Sequence, residues 1–200
     1  YTDMLIKYLP TGKFSESDIL DTVQTMSSHV ERLAQFADSM NTVQKLEDVE
    51  IRKENIPAGE FFSHLQETAD FLCQSKDIAC EFESSVTTET ILIDPSAVIQ
   101  VFENLLGNAL RFANSKIHII CSADDNTFIV FVTDDGKGFS EKELLNAVKP
   151  YYSGQAENKE FHFGLGLHIC RVLCEKHGGT LRLENTDRHG AKVTAVFSIH

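Results

Sequence analysis

The chain has 200 residues, of which 42% are hydrophobic, and a formal net charge of −12. This length allows one core-forming domain of moderate size with a smaller appendage. The acidic balance argues against a nucleic-acid-binding protein, because no basic face is available to displace counterions from phosphates. The sequence contains no run of 18 apolar residues, and its five cysteines without a Cys-x-x-Cys motif indicate buried thiols in a reducing compartment.

A heptad pattern dominates the first quarter of the chain. A short helical pattern over residues 1–9 ends at Pro10, and Ser15 and Ser17 offer N-caps for a longer helix. The apolar residues of that helix recur in alternating steps of four and three, at Ile19, Val23, Met26, Val30, Leu33, Ala37 and Met40. A single seam of this length requires a helical partner. We therefore predict part of a dimerising helical hairpin over residues 1–48, in preference to a helix folded back on the chain.

Residues 55–200 alternate between strand and helix patterns and are predicted to form a second domain. A charged stretch over 47–55 is expected to be a linker. The predicted elements are a helix from Pro57, strands at Ile78–Phe82 and Ile91–Ile93 around a polar turn, a helix from Asp94-Pro95, strands at Lys116–Ala123 and Thr127–Thr133, a short helix at Ser140–Val148, a helix over 164–177, and strands at Thr180–Asn185 and Lys192–Ile199.

The helix that begins at Asp94-Pro95 has two distinct faces. Asn104, Asn108 and Arg111 share the polar face. Because asparagine is a poor helix former, two asparagines one turn apart favour a ligand or metal role over solvent coating. The apolar face comprises Val98, Val101, Phe102, Leu105, Leu106, Ala109 and Phe112.

An acidic residue follows a strand that is apolar throughout. The strand at 128–132 is therefore predicted to be central, and it leads directly into Asp134, Asp135 and the glycines Gly136 and Gly138. An acid at the end of a buried strand, followed by glycines that let a ligand approach the backbone, is typical of a binding site. An ordinary Asp-Gly turn is the alternative.

A second glycine pair, Gly164 and Gly166, precedes the helix over 164–177. A glycine loop that leads into a helix leaves backbone N–H groups unpaired at the positive end of the helix dipole, where phosphate oxygens can bind. The polar segment 149–162 before it is predicted to be a mobile lid.

Taken in order, these motifs resemble the ATP-binding domain of sensor histidine kinases, whose fold is shared with DNA gyrase, mismatch-repair ATPases and a heat-shock chaperone. The resemblance covers residues 15–199, with Asn104–Phe112 as the N box, Asp134–Phe139 as the G1 box, Gly164–Leu167 as the G2 box and Pro150–Tyr152 as a degenerate F box. It implies an α+β fold: a two-layer sandwich with a mixed, mostly antiparallel sheet of about five strands and about three helices on one face.

The resemblance also implies roles for individual residues. Asp134 would accept a hydrogen bond from the adenine amino group, Asn108 would ligate Mg²⁺ through its side-chain oxygen, and Asn104 would support the phosphates or the metal. Arg111 would contact phosphate, and Phe112 would line the base or ribose. The backbone would close on ATP at Gly136, Gly138, Gly164, Leu165, Gly166 and Leu167.

The implied reaction is transfer of the ATP γ-phosphoryl group to a histidine, for relay to a response regulator. Asn104 stands where ATP-hydrolysing relatives carry a glutamate, and an amide cannot take a proton from water. Its neighbour Glu103 lies about 100° round the helix. No acceptor motif surrounds His29, which we interpret as a surface histidine. We expect this chain to be the cytoplasmic, dimeric part of a membrane-anchored sensor whose anchor lies outside this sequence. We also expect it to bind ATP without phosphorylating itself, with the acceptor histidine outside this sequence.

Two other functions fit the motifs. One is a serine protein kinase of the anti-sigma-factor type, against which the heptad helix argues. The other is a nucleotide-gated binding module without transfer activity. Lys149, Lys159 and His162 are equal candidates for a contact with the γ-phosphate.

Overall fold

The computed structural model describes residues 15–152, 164–187 and 190–200. Two compact units divide between Gln44 and Lys45. Helix α1 (Glu16–Asp48) forms the described part of the first unit and continues into the second. Ser15 caps this helix: its Oγ accepts the Asp18 N–H at 3.2 Å, and Asp18 Oδ2 accepts the Ser15 N–H at 2.9 Å. The predicted helix at residues 1–9 lies outside the described residues.

The apolar seam of α1 is exposed over most of its described length. Val30 and Leu33 expose 64% and 68% of their surface, and Val23, Ala37 and Met40 are also exposed. Leu46, by contrast, is buried in the second unit. Among the described helices, none combines the length and hydropathy needed to cross a membrane.

The second unit has the predicted α+β fold. Its five-stranded sheet has the order β2-β4-β5-β7-β6, in which only β2 and β4 are parallel. The elements are β1 (Glu54–Pro57), α2 (Ala58–Gln74), β2 (Ala79–Val86), β3 (Thr90–Ile93), α3 (Pro95–Phe112), β4 (Lys116–Ala123), β5 (Thr127–Asp134), α4 (Glu141–Asn146), α5 (Gly166–Lys176), β6 (Thr180–Asn185) and β7 (Ala191–Ser198).

The core lies between one face of this sheet and helices α2, α3 and α5. Strand β5 is the central strand, as predicted, and every second residue along it is buried. Phe128 anchors the core: its ring lies 5.3 Å from that of Phe62 and 5.8 Å from that of Phe197. The same alternation along β4 and β5 places one face of these strands against the helices and leaves the other face half-exposed.

Two details differ from the predicted elements. Strand β1 lies at the end of the stretch predicted as a linker, and it pairs antiparallel with β3 in a separate two-stranded sheet. The polar turn after β2 therefore does not join a hairpin of β2 and β3. Thr87 continues the β2–β4 ladder by donating its N–H to Ala123 O at 3.2 Å, and the chain then leaves the sheet.

Candidate functional site

Helix α3 positions the first group of predicted site residues. It begins at Asp94, whose Oδ1 accepts the Ala97 N–H at 3.0 Å, with Pro95 in the first turn. Its predicted apolar face is buried except for Phe112, which is only half-buried. Phe112 ends the helix, and the guanidinium carbon of Arg111 lies 4.4 Å from the centre of its ring.

Asn104 and Asn108 lie against the first residue of α5. A Cβ built on Gly166 would stand 3.1 Å from Asn104 Oδ1 and 3.7 Å from Asn108 Nδ2. Asn104 Nδ2 donates to the carbonyl of Gln100 at 2.8 Å, so its oxygen is turned away from its own helix backbone. Asn108 Nδ2 is buried and has no hydrogen-bond partner within the described part of the chain. Glu103 is exposed, in agreement with its predicted position on another side of the helix.

Asp134, at the end of β5, is buried, with 7% of its surface exposed. Its Oδ1 accepts two backbone N–H groups, from Gly136 at 2.8 Å and from Ala191 at 3.3 Å. Burial raises the pKa of the Asp134 carboxyl, and these two hydrogen bonds oppose that shift. The side chain is therefore fixed through one oxygen by the backbone around it.

Two glycines after Asp134 make room for other protein atoms. A Cβ on Gly136 would overlap the carbonyl oxygen of Phe112, so the loop after β5 meets the end of α3. Gly138 has a φ of +72°, and its Cβ would stand 2.7 Å from Asn185 Oδ1. Phe112 follows Asn108 by one helical turn. Helix α3 therefore contacts the Asp134 loop with its last residue, and it contacts the start of α5 one turn earlier.

Asp135 joins the connection after α3 to the end of β5. Its carboxylate accepts the Ser115 hydroxyl at 2.7 Å and the Asn114 N–H at 2.8 Å. The Ser115 hydroxyl bond is the main cause that lowers the pKa of Asp135 well below the usual range of an aspartate. The resemblance had singled out Asp134 as the site residue, but nothing in the sequence indicated that Asp135 would brace the loop.

The start of α5 is the predicted phosphate-binding end. Gly164, with a φ of +64°, lies against the backbone of Tyr152, whose atoms a Cβ would overlap. Leu165 is buried and Leu167 half-buried, and no described side chain caps the helix. Gly178, with a φ of +81°, follows the end of α5.

Most of the predicted lid lies outside the described residues, including Lys159 and His162. Lys149 is exposed, and its Nζ donates to Asn146 Oδ1 at 2.7 Å.

His177, which the motifs did not single out, joins the far ends of α3 and α5. Its imidazole is 1% exposed; Nε2 accepts the Asp94 N–H at 3.0 Å, and Nδ1 donates to Ser198 O at 3.0 Å. Burial lowers the pKa of His177. The start of α3 thus meets the end of α5, while Asn104 meets the start of α5, so the two helices run antiparallel. In the sequence His177 stands between the charged pair Glu175-Lys176 and the glycines Gly178 and Gly179, and this context gave no signal for its role.

Comparison with known proteins agrees with this arrangement. Residues 93–200, more than half of the chain, match the family model described as histidine kinase-, DNA gyrase B-, and HSP90-like ATPase. The chain belongs to this family of ATPases, and the predicted resemblance is confirmed.

Relatives and solved structures point the same way. The sensor histidine kinase ZraS of Salmonella typhi is 25% identical over 193 residues, which are 95% of this chain and 40% of that protein. The Acinetobacter baumannii histidine kinase AdeS shares the fold with a TM-score of 0.69 at 18% identity, over 99% of this chain and 93% of that one. Full-length ShkA in complex with AMPPNP gives a TM-score of 0.73 at 19% identity, over 94% and 40% of the two chains. The chain thus spans less than half the length of ZraS and ShkA.

Proposed function

We propose that this chain is the ATP-binding catalytic part of a sensor histidine kinase and transfers the γ-phosphoryl group of ATP to a histidine. The observation that carries the proposal is the junction on α3. Asn104 and Asn108 lie against the start of α5, which no described side chain caps, and one turn further on α3 meets the Asp134 loop. This arrangement supports the proposal, because the Asp134 loop and the start of α5 both contact the last turns of α3.

Asp134 is proposed to select adenine. Its Oδ1 is held by Gly136 and Ala191, which leaves Oδ2 to accept a hydrogen bond from the adenine amino group. Guanine carries a carbonyl oxygen at the corresponding position, and two acceptors would repel each other. Phe112, at the end of α3, is proposed to line the base or ribose. Gly138 lies in the loop that follows Asp134, where the backbone is proposed to approach the nucleotide.

Asn104, Asn108 and the start of α5 are proposed to hold the phosphates and Mg²⁺. Among the described residues nothing bonds the buried Asn108 Nδ2, and the amide orientation that exchanges its oxygen and nitrogen would present an oxygen there. Oxygen donors suit Mg²⁺, and clusters of three or more acidic, histidine or cysteine ligands are absent from the described residues. Bound Mg²⁺ would offset phosphate charge in this acidic protein. Backbone N–H groups from Leu165 to Leu167 and the Arg111 guanidinium would contact phosphate oxygens.

The same residues favour transfer over hydrolysis. Asn104 cannot act as a general base, and Glu103, the adjacent carboxylate, is exposed. His29 is exposed on α1 and is followed by Val30, so it is not proposed as the acceptor. The acceptor would come from a separate segment, and this chain alone would bind ATP without autophosphorylation.

The partners follow from the proposed activity. The exposed seam of α1 would form a homodimer through a helical hairpin, and the phosphorylated histidine would pass its phosphate to a response regulator. All five cysteines are free thiols, in keeping with a cytoplasmic location.

Transfer in trans tests the proposal. The chain would be incubated with Mg²⁺, γ-labelled ATP and a separate hairpin segment that carries an acceptor histidine. We expect label on the hairpin that is labile to acid and stable to base, and none with Asp134→Asn. Acid-stable label would indicate a serine kinase, and ATP binding without any transfer would indicate a binding module.

A further inference from the structure

A residue outside all of the sequence motifs holds the loop that follows Asp134. Asn185, the last residue of β6, accepts the Phe139 N–H through Oδ1 at 2.6 Å and donates through Nδ2 to the Phe139 carbonyl at 2.7 Å. One side-chain amide thus satisfies both backbone groups of a single residue, as a neighbouring strand would do in a sheet.

Gly138 makes this contact possible. With a φ of +72°, it occupies backbone space that side chains rarely allow, and a Cβ there would stand 2.7 Å from Asn185 Oδ1. The requirement for glycine at this position therefore comes from Asn185 as well as from backbone conformation.

The end of β6 and the start of β7 contact the loop at its two ends. At the start of the loop, the Ala191 N–H donates to Asp134 Oδ1 at 3.3 Å, and Gly190 has no room for a Cβ against the Asp134 carbonyl. At its end, Asn185 holds Phe139. Gly136, Lys137 and Gly138 lie between these points. Because glycine has the greatest backbone freedom of all residues, this segment needs contacts at both ends to be ordered.

We propose that Asn185 is a positioning residue for nucleotide binding: by bonding both backbone groups of Phe139 it orders the Asp134–Phe139 loop before the base arrives. The inference rests on the proposed function, because it assumes that this loop contacts adenine. A loop that is ordered in advance loses less conformational entropy on binding. It also keeps the backbone beside Asp134 fixed, so Asn185 contributes to the preference for adenine over guanine.

The test compares Asn185→Ala and Asn185→Asp with wild type and with Asn126→Ala. Asn126 is an exposed asparagine in the turn between β4 and β5, at the other end of β5 from Asp134, and its Oδ1 bonds His200. Calorimetry would give the affinities for ADP and GDP in Mg²⁺. Hydrogen exchange would follow the Phe139 amide without nucleotide, and thermal unfolding would report stability.

We expect Asn185→Ala to weaken ADP binding about tenfold, corresponding to the loss of two hydrogen bonds. The ratio of ADP to GDP affinity should narrow, and the Phe139 amide should exchange faster. Asn185→Asp should bind no better than Asn185→Ala, because its carboxylate would face the Phe139 carbonyl without a donor. Asn126→Ala should match wild type.

Two outcomes would overturn the inference alone. One is ADP affinity within twofold of wild type in Asn185→Ala. The other is weaker binding with an unchanged ratio of ADP to GDP and a lower melting temperature, which would show a role in stability only. Failure of the wild-type protein to bind ADP would overturn the proposed function, and this inference with it.

Discussion

Asn104 and Gly166 lie so close together that a Cβ on residue 166 would stand 3.1 Å from the Asn104 side-chain oxygen. This contact joins α3 to the start of α5. Contacts of this length are tighter than side chains normally accept, so any residue larger than glycine must displace the Asn104 amide. The position of the amide and the identity of residue 166 are therefore linked.

Gly166→Ala is expected to weaken binding of the Mg²⁺–nucleotide complex about tenfold, because the new methyl group shifts the Asn104 amide. Thermal stability should be unchanged or slightly higher, since alanine favours helix more than glycine does. The matched control is Gly107→Ala in α3, where an added Cβ meets no atom within 4 Å. Calorimetry that found the same affinity in both variants would show that the Asn104–Gly166 contact does not matter for binding.

Asp134 and Asp135 are expected to affect stability in opposite directions. Burial raises the folded-state pKa of Asp134, so the stability linked to its protonated form is present at low pH and lost as the pH rises through that pKa. At neutral pH its charge therefore lowers stability. Asp134→Asn keeps an oxygen acceptor for Gly136 and Ala191, and it should melt at the same temperature as wild type or higher.

Asp135→Asn should instead destabilise the protein by about 1 kcal/mol, because the carboxylate accepts several hydrogen bonds. The pKa of Asp135 is lowered in the folded state, so its contribution is present at neutral pH and lost as the pH falls. Chemical denaturation at pH 7 would measure both variants. A loss of stability in Asp134→Asn larger than that in Asp135→Asn would contradict the assignment of the two carboxylates.

His177 is expected to make folding sensitive to mild acid. Its folded-state pKa is lowered, chiefly by burial and also by Lys53, with Asp94 acting in the opposite direction. Protonation would also place an N–H against the Asp94 N–H that Nε2 now accepts. The unfolded chain takes up the proton near pH 6.5, so stability should fall below that pH by at most about 1.4 kcal/mol per unit. The loss should stop once the pH passes below the folded-state pKa.

The measurement is the free energy of unfolding between pH 8 and pH 5.5 for wild type and His177→Gln. His177→Gln is expected to be less stable than wild type over this whole pH range. Its free energy of unfolding should, however, lack the decrease towards low pH that protonation of His177 causes. Because slopes are compared, general destabilisation by the substitution does not affect the result. Identical slopes in the two proteins would remove His177 as the cause.

The seam of α1 is expected to mediate self-association. Val30→Asp places a charge in the centre of the exposed apolar row and should shift the chain towards monomer in sedimentation equilibrium. Gln24→Asp, on another side of the same helix, adds the same charge and should leave the association constant unchanged. A monomeric wild-type chain at high concentration would contradict the dimer proposed here.

Hydrophobic periodicity in the sequence predicted those helices and strands that have one buried face. The apolar periodicity of α3 identified six of its seven buried residues. It missed Ala97 in the first turn and wrongly included Phe112, which is only half-buried where the helix ends. The unbroken apolar run at 128–132 identified the central strand. Strand β1 was missed, because its pairing with β3 depends on a partner more than 30 residues away and not on its own hydrophobicity.

The site shows the same division between local and distant effects. Spacing on one helix brought Asn104 and Asn108 together, and the glycine motifs indicated close backbone approach. What the glycines approach was not predictable: Gly136 makes room for Phe112, and Gly138 for Asn185. Asn185 and His177 act across 46 and 83 residues of sequence, and no local pattern marks such contacts.

The central claim is that Asp134 and the α3–α5 junction bind ATP through Mg²⁺, and calorimetry of the wild-type chain tests it most directly. Titrations with a non-hydrolysable ATP analogue would be run with Mg²⁺, with a chelator, and with the matching GTP analogue. We expect saturable binding of the ATP analogue that depends on Mg²⁺, is much weaker for the GTP analogue and is lost in Asp134→Asn. Equal heats for wild type and Asp134→Asn, or equal affinity for the two nucleotides, would contradict it.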